Sequence, residues 1–182
     1  MLFSKLNKLL NRFCALKTVV LALDGPASYA KMHTQKQRRE AAMKKRKESD
    51  KTINSCRITP GTPLMNKIKQ ALMFYCCQRL QSKKYGNVQY VISGADAAGE
   101  GETKLIAWIL DQQRFHQPID RYLVIGSDSD LVLLTLGTLN RNIYLLHDKS
   151  DKAFFSTHEF LTQTESKCSL PSPTMAWDFI LV

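Results

Sequence analysis

The stretch Thr18-Val-Val-Leu-Ala-Leu-Asp24-Gly25 reads as a short strand that ends on an aspartate. Residues 18–23 are nearly all apolar and begin with β-branched side chains. A continuous apolar run of that length suits a strand covered on both faces, the kind a parallel sheet contains. In open α/β sheets the ligand site lies beyond the carboxyl ends of the strands. Asp24 therefore stands where chemistry is expected.

Working outward, helix and strand patterns alternate. Phe3, Leu6, Leu9, Leu10 and Phe13 recur at helical spacing and predict a helix over residues 2–16. Residues 29 to about 49 are mostly Ala, Lys, Arg, Gln, Met and Glu, good helix formers. Residues 51–63 read as a loop, with Thr62 as N-cap and Pro63 as first residue of a helix running to about Ser82. Further strands are expected at 88–93, 122–126 and 142–147, and helices at 101–114 and 130–136. The tail reads as helical in two pieces around Pro171 and Pro173, ending in the apolar segment Ala176 to Val182. The pattern predicts an α/β fold, a mostly parallel sheet with helices on both faces. A terminal apolar helix without a cap is odd for a complete domain, so residues 1–182 are expected to be one partial domain.

Composition narrows the class. The 182 residues include eight Phe, six Tyr and two Trp, enough apolar bulk to offset the ordering entropy of one domain. No apolar run approaches the ~20 residues that a membrane span needs. Five cysteines, at 14, 56, 76, 77 and 168, form no C-x-x-C pair. An odd count without metal spacing points to a reducing, intracellular compartment, cytoplasmic or nuclear. Cys76 and Cys77 lie in an apolar helical stretch and are expected in the core. The first 23 residues carry Lys5, Lys8, Arg12 and Lys17 and no acid, which permits a transit-peptide reading. A structural helix is the stronger reading, because the segment leads directly into the strand that ends at Asp24.

Charge is segregated. Residues 31–57 hold ten basic and three acidic residues, +7 of the net +10, whereas residues 96–130 hold seven acidic and three basic. A polyanion site built around metal ions would separate charge in this way. Asp24 follows one strand, Glu100 and Glu102 lie in the loop after the second, and Asp128 and Asp130 follow the third. One aspartate at a strand end is ordinarily a solvated loop acid. Three strand ends delivering five carboxylates to one edge point instead to divalent cations, which relieve the mutual repulsion. Mg²⁺ or Mn²⁺ suits such oxygen ligands, and two ions clamp the attacking and leaving oxygens of a phosphodiester.

The loop Gly94-Ala-Asp-Ala-Ala-Gly99-Glu-Gly-Glu102 is not a phosphate-cradling loop, since Gly99 is followed by Glu100 and not by Lys. Its glycines let two carboxylates approach a metal without Cβ crowding, near the positive end of a helix opening at Gly101. On the basic helix, Lys31, Gln35, Arg38 and Arg39 share an arc of about 100°. Three cations and an amide on one stripe suit a terminal phosphate, although most charge runs are simply solvated faces. Lys44-Lys45-Arg46-Lys47 covers every face and reads as a solvated end, an RNA-backbone contact or a nuclear-import patch. The four histidines show no ligand spacing, and no nucleophile signature accompanies them.

Four blocks resemble the XRN family of 5′→3′ exoribonucleases: LALDGPASYAKMHTQKQRR (21–39), SCRITPGTPLM (55–65), ISGADAAGEGETK (92–104) and IGSDSDLVLL (125–134). The resemblance implies a PIN/flap-nuclease fold. It implies metal ligands at Asp24, Glu100, Glu102, Asp128 and Asp130, and a 5′-monophosphate pocket at Lys31, Gln35, Arg38 and Arg39. The implied activity is processive hydrolysis of single-stranded RNA from a 5′-monophosphorylated end with Mg²⁺ or Mn²⁺, as two ions. Thr103 stands where the family has His, Ser129 where it has Ala, and Ala97-Ala98 where it has x-Pro; none of these is a ligand. The stretch between Arg39 and Ile58 is shorter than in well-known members. The family's opening DMNG-type strand and its later GNDF-type block, each with an acidic ligand, have no counterpart here. The chain is thus expected to be an internal portion of the catalytic domain or a truncated gene model. Two rival readings fit the same residues: a structure-selective flap DNA nuclease, and a catalytically incomplete RNA-binding fragment.

Overall fold

A computed structural model of the chain describes residues 2–13, 17–44, 55–115, 120–126, 128–146 and 154–168. Their order is α1 (Leu2–Arg12), β1 (Thr18–Ala22), α2 (Tyr29–Lys44), a 3₁₀ turn (Ser55–Arg57), α3 (Pro63–Leu80), β2 (Gln89–Ser93), α4 (Gly101–Phe115), β3 (Tyr122–Ile125), α5 (Asp130–Leu136), β4 (Ile143–Leu146), β5 (Phe154–Ser156) and α6 (Thr157–Cys168). The expected alternation is present. The end of the basic run, Lys45 to Lys47, and the tail beyond Cys168 lie outside the described residues. Two compact units divide the chain, Met1–Gly101 and Glu102–Val182.

In the first unit β1 and β2 pair in parallel, Thr18 opposite Gln89 through Ala22 opposite Ser93. In the second, β3 and β4 pair in parallel, and β4 pairs antiparallel with β5. The expectation of a single mostly parallel sheet thus becomes two ladders, of two and three strands, in which two of the three pairings are parallel. Strand β5 was not expected. Phe154–Ser156 is three residues long, too short to show a period, and only its pairing with β4 defines it. β1 is less covered than its composition predicts: Val19 is buried and its neighbours are half-buried.

The first unit's core is Val19, Met65, Leu72, Tyr75, Cys76, Val88 and Ala95. Helix α1 belongs to this packing. Phe3 stacks on Tyr75 with ring centroids 5.0 Å apart, and the Tyr75 hydroxyl donates to Asn7 Oδ1 at 2.6 Å. That favours the structural reading of the amino-terminal segment. Arg79 is the polar hub. Its Nη1 donates to Asn7 Oδ1 at 2.9 Å and its Nε to the Tyr90 hydroxyl at 3.1 Å. Its guanidinium also lies 3.8 Å from the centroid of the Tyr85 ring. Cys76 is buried as expected, but Cys77 is exposed; adjacent helical residues point about 100° apart, so only one of the pair faces the core.

At the start of α3, Thr59-Pro60-Gly61-Thr62 closes with a Thr62 N–H to Thr59 carbonyl bond of 3.1 Å, and Gly61 takes a φ of +83°. Pro at the second position and Gly at the third fit a type II turn. Thr62 is the N-cap residue and Pro63 begins the helix, as expected. The Thr62 hydroxyl makes no cap bond; it turns back to donate to the carbonyls of Arg57 and Thr59, at 2.7 and 2.8 Å. The second unit's core is Ile106, Ile109, Val124, Leu131, Ile143 and Leu145, with Trp108 edge-on to Tyr122 beside it. Thr157 is fully buried, and its hydroxyl lies 2.9 Å from the Arg141 carbonyl. No described helix is long and apolar enough to cross a membrane.

Two stability outcomes follow from the α1–α3 contact. Arg79→Ala removes several bonds to a charged group together with a cation–π contact, and it should lower stability by about 2 kcal/mol in urea unfolding. Burial pushes the Tyr75 phenol above its ordinary 10.0, against the lowering effect of Arg79, and burial likewise raises the Cys76 thiol above 9.0. Both folds favour the neutral group, so stability is fully present below about pH 9 and falls as the pH rises past the unfolded-state values. Tyr75→Phe should flatten part of that alkaline decline, read from urea midpoints at about pH 8 and about pH 10.5.

Candidate active site

The strongest local structure joins the ends of β1 and β2. After β1 the chain continues through Asp24-Gly25-Pro26; after β2 it forms the loop 94–100 and then α4. Two backbone bonds hold these segments together: Gly25 N–H to the Gly99 carbonyl and Gly99 N–H to the Pro26 carbonyl, both 2.9 Å. Gly99 has a φ of +100°, a conformation that glycine reaches without strain. Asp24 Oδ1 then accepts the backbone N–H of Gly101 at 2.7 Å. Gly101 is the first residue of α4, where an N–H has no partner within the helix and the helix dipole favours an anion. A Cβ at Gly101 would meet the Ala22 carbonyl oxygen and Asp24 Oδ1, each at 3.2 Å. Glycine lets the helix start this close to the strand end without displacing either atom.

Glu100, one residue before that helix, is half-buried. Its Oε2 accepts a bond from Lys31 Nζ at 2.8 Å, an ion pair in which the lysine side chain is 58% and the glutamate 29% exposed. Lys31 lies in the first turn of α2. The same helix carries Gln35 and Arg39, both half-buried, with Arg39 Nη2 donating to Gln35 Oε1 at 3.3 Å, and the exposed Arg38. In one unit, Asp24 is thus bonded to the residue after Glu100, and Glu100 to the first residue of the basic stripe. The loop has a second anchor that sequence reasoning missed: Lys69 of α3 donates to both Asp96 carboxylate oxygens, at 2.9 and 2.8 Å. The signal was weak, since Lys69 and Asp96 lie 27 positions apart and neither stands in a recognisable pattern.

The other three acids lie in the second unit. Glu102 is half-buried in the first turn of α4. Asp128 and Asp130 follow β3 and are exposed, with Asp130 the first residue of α5. The Leu131 N–H bonds to the Asp128 carbonyl at 3.2 Å, and the Leu131 side chain fills the space where a Cβ on Gly126 would lie. A side chain at 126 would have to displace the Leu131 methyl from that position. Two of the five acids, Asp24 and Glu100, lie in the first unit, and three lie in the second. Among the described residues, no group of three or more His, Cys, Asp or Glu side chains is gathered closely enough to hold a metal ion. The donor set is nevertheless entirely carboxylate oxygen, which fits Mg²⁺ or Mn²⁺ by chemistry.

A sequence model of a family described as "XRN 5'-3' exonuclease N-terminus" matches residues 1–149. The chain belongs to the XRN 5'-3' exonuclease family. Similar curated proteins include the "5'-3' exoribonuclease 2" of Saccharomyces cerevisiae, 32% identical over 173 residues, covering 80% of this chain and 17% of the relative. The Gallus gallus protein of the same name is 29% identical over 174 residues, covering 81% and 18%. A "5'-3' exoribonuclease 2 homolog" of Caenorhabditis elegans is 28% identical over 160 residues, covering 73% and 16%. The chain thus spans less than one fifth of the length of these relatives. The resemblance read from the four sequence blocks is borne out at the level of the family.

The capping geometry has its own test. Asp24→Ala leaves the Gly101 N–H without its acceptor and should cost about 1 kcal/mol, as loss of a helix cap does. Asp24→Asn keeps an acceptor oxygen and should retain most of that stability. Equal losses in urea unfolding for the two variants would contradict a capping role.

Proposed function

We propose that this chain is the part of a 5′→3′ exoribonuclease that grips the 5′-monophosphate of single-stranded RNA beside an acidic metal site. The observations that carry this reading are the Lys31–Glu100 ion pair and the bond that holds Asp24 to Gly101, the residue next to Glu100. The family match runs through both units, which supports treating them as parts of one partial nuclease domain with a PIN/flap-nuclease arrangement. The names of the relatives support RNA as substrate and 5′→3′ as direction.

On this reading, Asp24, Glu100, Glu102, Asp128 and Asp130 hold two Mg²⁺ or Mn²⁺ ions. When bound, such ions activate water and stabilise the leaving oxygen of a phosphodiester. The chain's own residues then do the following. Asp24, held by the Gly101 N–H, keeps its carboxylate at the strand end. Glu100 is oriented on the adjacent loop, which Lys69 and Asp96 anchor. Lys31, Gln35, Arg38 and Arg39 bind the terminal phosphate; Arg offers paired donors, Lys a point charge and Gln its amide. The remaining charge on α2 and beyond guides the RNA backbone by counterion release, with no sequence preference. On this reading the protein works in a reducing compartment, cytoplasmic or nuclear.

The test compares RNA carrying a 5′-monophosphate with the same RNA carrying a 5′-hydroxyl, in Mg²⁺. Mononucleotides should be released faster from the phosphorylated end, and Asp128→Ala should abolish release. Arg38→Ala with Arg39→Ala should erase at least about tenfold of the end preference, since a charge-assisted bond contributes about 1.5–3 kcal/mol. Equal rates on both ends would overturn the phosphate pocket. Preferential cutting of a DNA flap would favour the flap nuclease, and salt-dependent RNA binding without turnover would favour an RNA-binding role.

A further inference from the structure

One lysine touches both halves of this proposed site. Lys31 begins the basic stripe on α2, yet its ammonium is bonded to Glu100 Oε2 at 2.8 Å, on the acidic loop. It is bonded to one of the five acids, whereas Arg39 bonds within its own helix, to Gln35. An ammonium and a divalent cation are both drawn to the same carboxylate oxygen, and the two repel each other at contact range. An ammonium and a terminal phosphate attract one another. A single flexible four-carbon stem therefore sits between two ligands of opposite charge.

Exposure permits the exchange. The Lys31 side chain is 58% exposed and Glu100 only 29%, so the lysine has the more open surroundings into which to turn. Glu100 is fixed because its neighbours are held: Gly99 by two backbone bonds to Gly25 and Pro26, and Gly101 by Asp24. The Glu100–Lys31 pair is a half-exposed ion pair, whose net worth is small enough for a divalent cation to displace.

We propose that Lys31 couples the two subsites: a divalent cation at Glu100 releases the Lys31 ammonium to the 5′-phosphate, so that each ligand strengthens binding of the other. The inference rests on the proposed nuclease reading and goes beyond it by assigning Lys31 to communication between subsites as well as to phosphate binding. Linkage requires the effect to be reciprocal. Lys31 is thus a positioning residue for ion order, and it keeps the glutamate neutralised until a cation arrives.

The experiment measures binding to the 182-residue chain and needs no turnover. Mn²⁺ affinity is followed by electron paramagnetic resonance. RNA affinity is followed by fluorescence anisotropy of a phosphorothioate-protected, 3′-labelled oligoribonucleotide with a 5′-monophosphate or a 5′-hydroxyl. In the unmodified chain, Mn²⁺ should raise affinity for the 5′-phosphate form by about fivefold or more, within the usual range of coupling between sites, and leave the 5′-hydroxyl form nearly unchanged. Lys31→Met should bind Mn²⁺ more tightly, because the competing ammonium is gone, and should lose the Mn²⁺-dependent gain for the 5′-phosphate. Lys31→Arg should keep part of that gain. A Mn²⁺-dependent gain that persists in Lys31→Met, or Mn²⁺ affinity that falls in that variant, overturns the coupling while leaving the nuclease reading intact. Absence of Mn²⁺ binding that Glu100→Gln weakens overturns both.

Discussion

The short bond from the Gly101 N–H to Asp24 Oδ1 is the constraint on which the first unit's site depends. It joins a strand end to a helix start in a single contact. The aspartate satisfies a helix N–H that has no intrahelical acceptor, and the helix end in turn favours the negative charge. A Cβ at Gly101 would crowd the bond at 3.2 Å, and Gly99 adopts a positive φ in the loop just before it. Two further backbone bonds, between Gly25 and Gly99 and between Gly99 and Pro26, hold the segments in register. Glycine here sets carboxylate placement: a larger residue at 101 would press on both the β1 carbonyl and the aspartate itself.

Around that joint the chain arranges its charge in pairs. Lys31 neutralises Glu100, and Lys69 neutralises Asp96 on the same loop. Each ion pair is partly exposed, so its contribution to stability is modest and its contribution to loop placement is the larger effect. The Arg79 cluster is different in kind. There the cation is held by neutral oxygens and aromatic faces from α1, α3 and β2, and Tyr75 is almost fully buried. That cluster ties the amino-terminal helix into the unit. The amphipathic, acid-free sequence of α1 is thereby used for packing.

Much of this was legible in the residues. The β-branched run before Asp24, the helix-forming composition after Tyr29 and the Pro63 start of α3 each depend on local propensity, so sequence alone predicts them. Spacing likewise puts Lys31, Gln35 and Arg39 on one stripe, and α2 brings Gln35 and Arg39 into contact. The failures are tertiary. Cys77 reads as core from its apolar neighbours but faces out, because Cys76 and Tyr75 take the inward positions. Thr62 occupies the cap position, yet the preceding turn draws its hydroxyl away. Strand β5 exists because β4 offers an open edge to three residues that carry no period of their own.

The sequence by itself determined the family, the alternation of helices and strands, the segregation of acid from base and the identity of the residues at each strand end. All of these are properties of neighbours in the chain or of spacing along one helix or strand. Only the tertiary structure decided who bonds to whom across long separations: Asp24 with Gly101, Lys31 with Glu100, Lys69 with Asp96, Arg79 with Asn7. The reason is physical. A side-chain ion pair or cap bond between residues tens of positions apart has no periodic signature, and its partners are selected by how the backbone segments pack. The division of the sheet into two ladders has the same origin, since strand pairing is a long-range choice that local propensity does not encode.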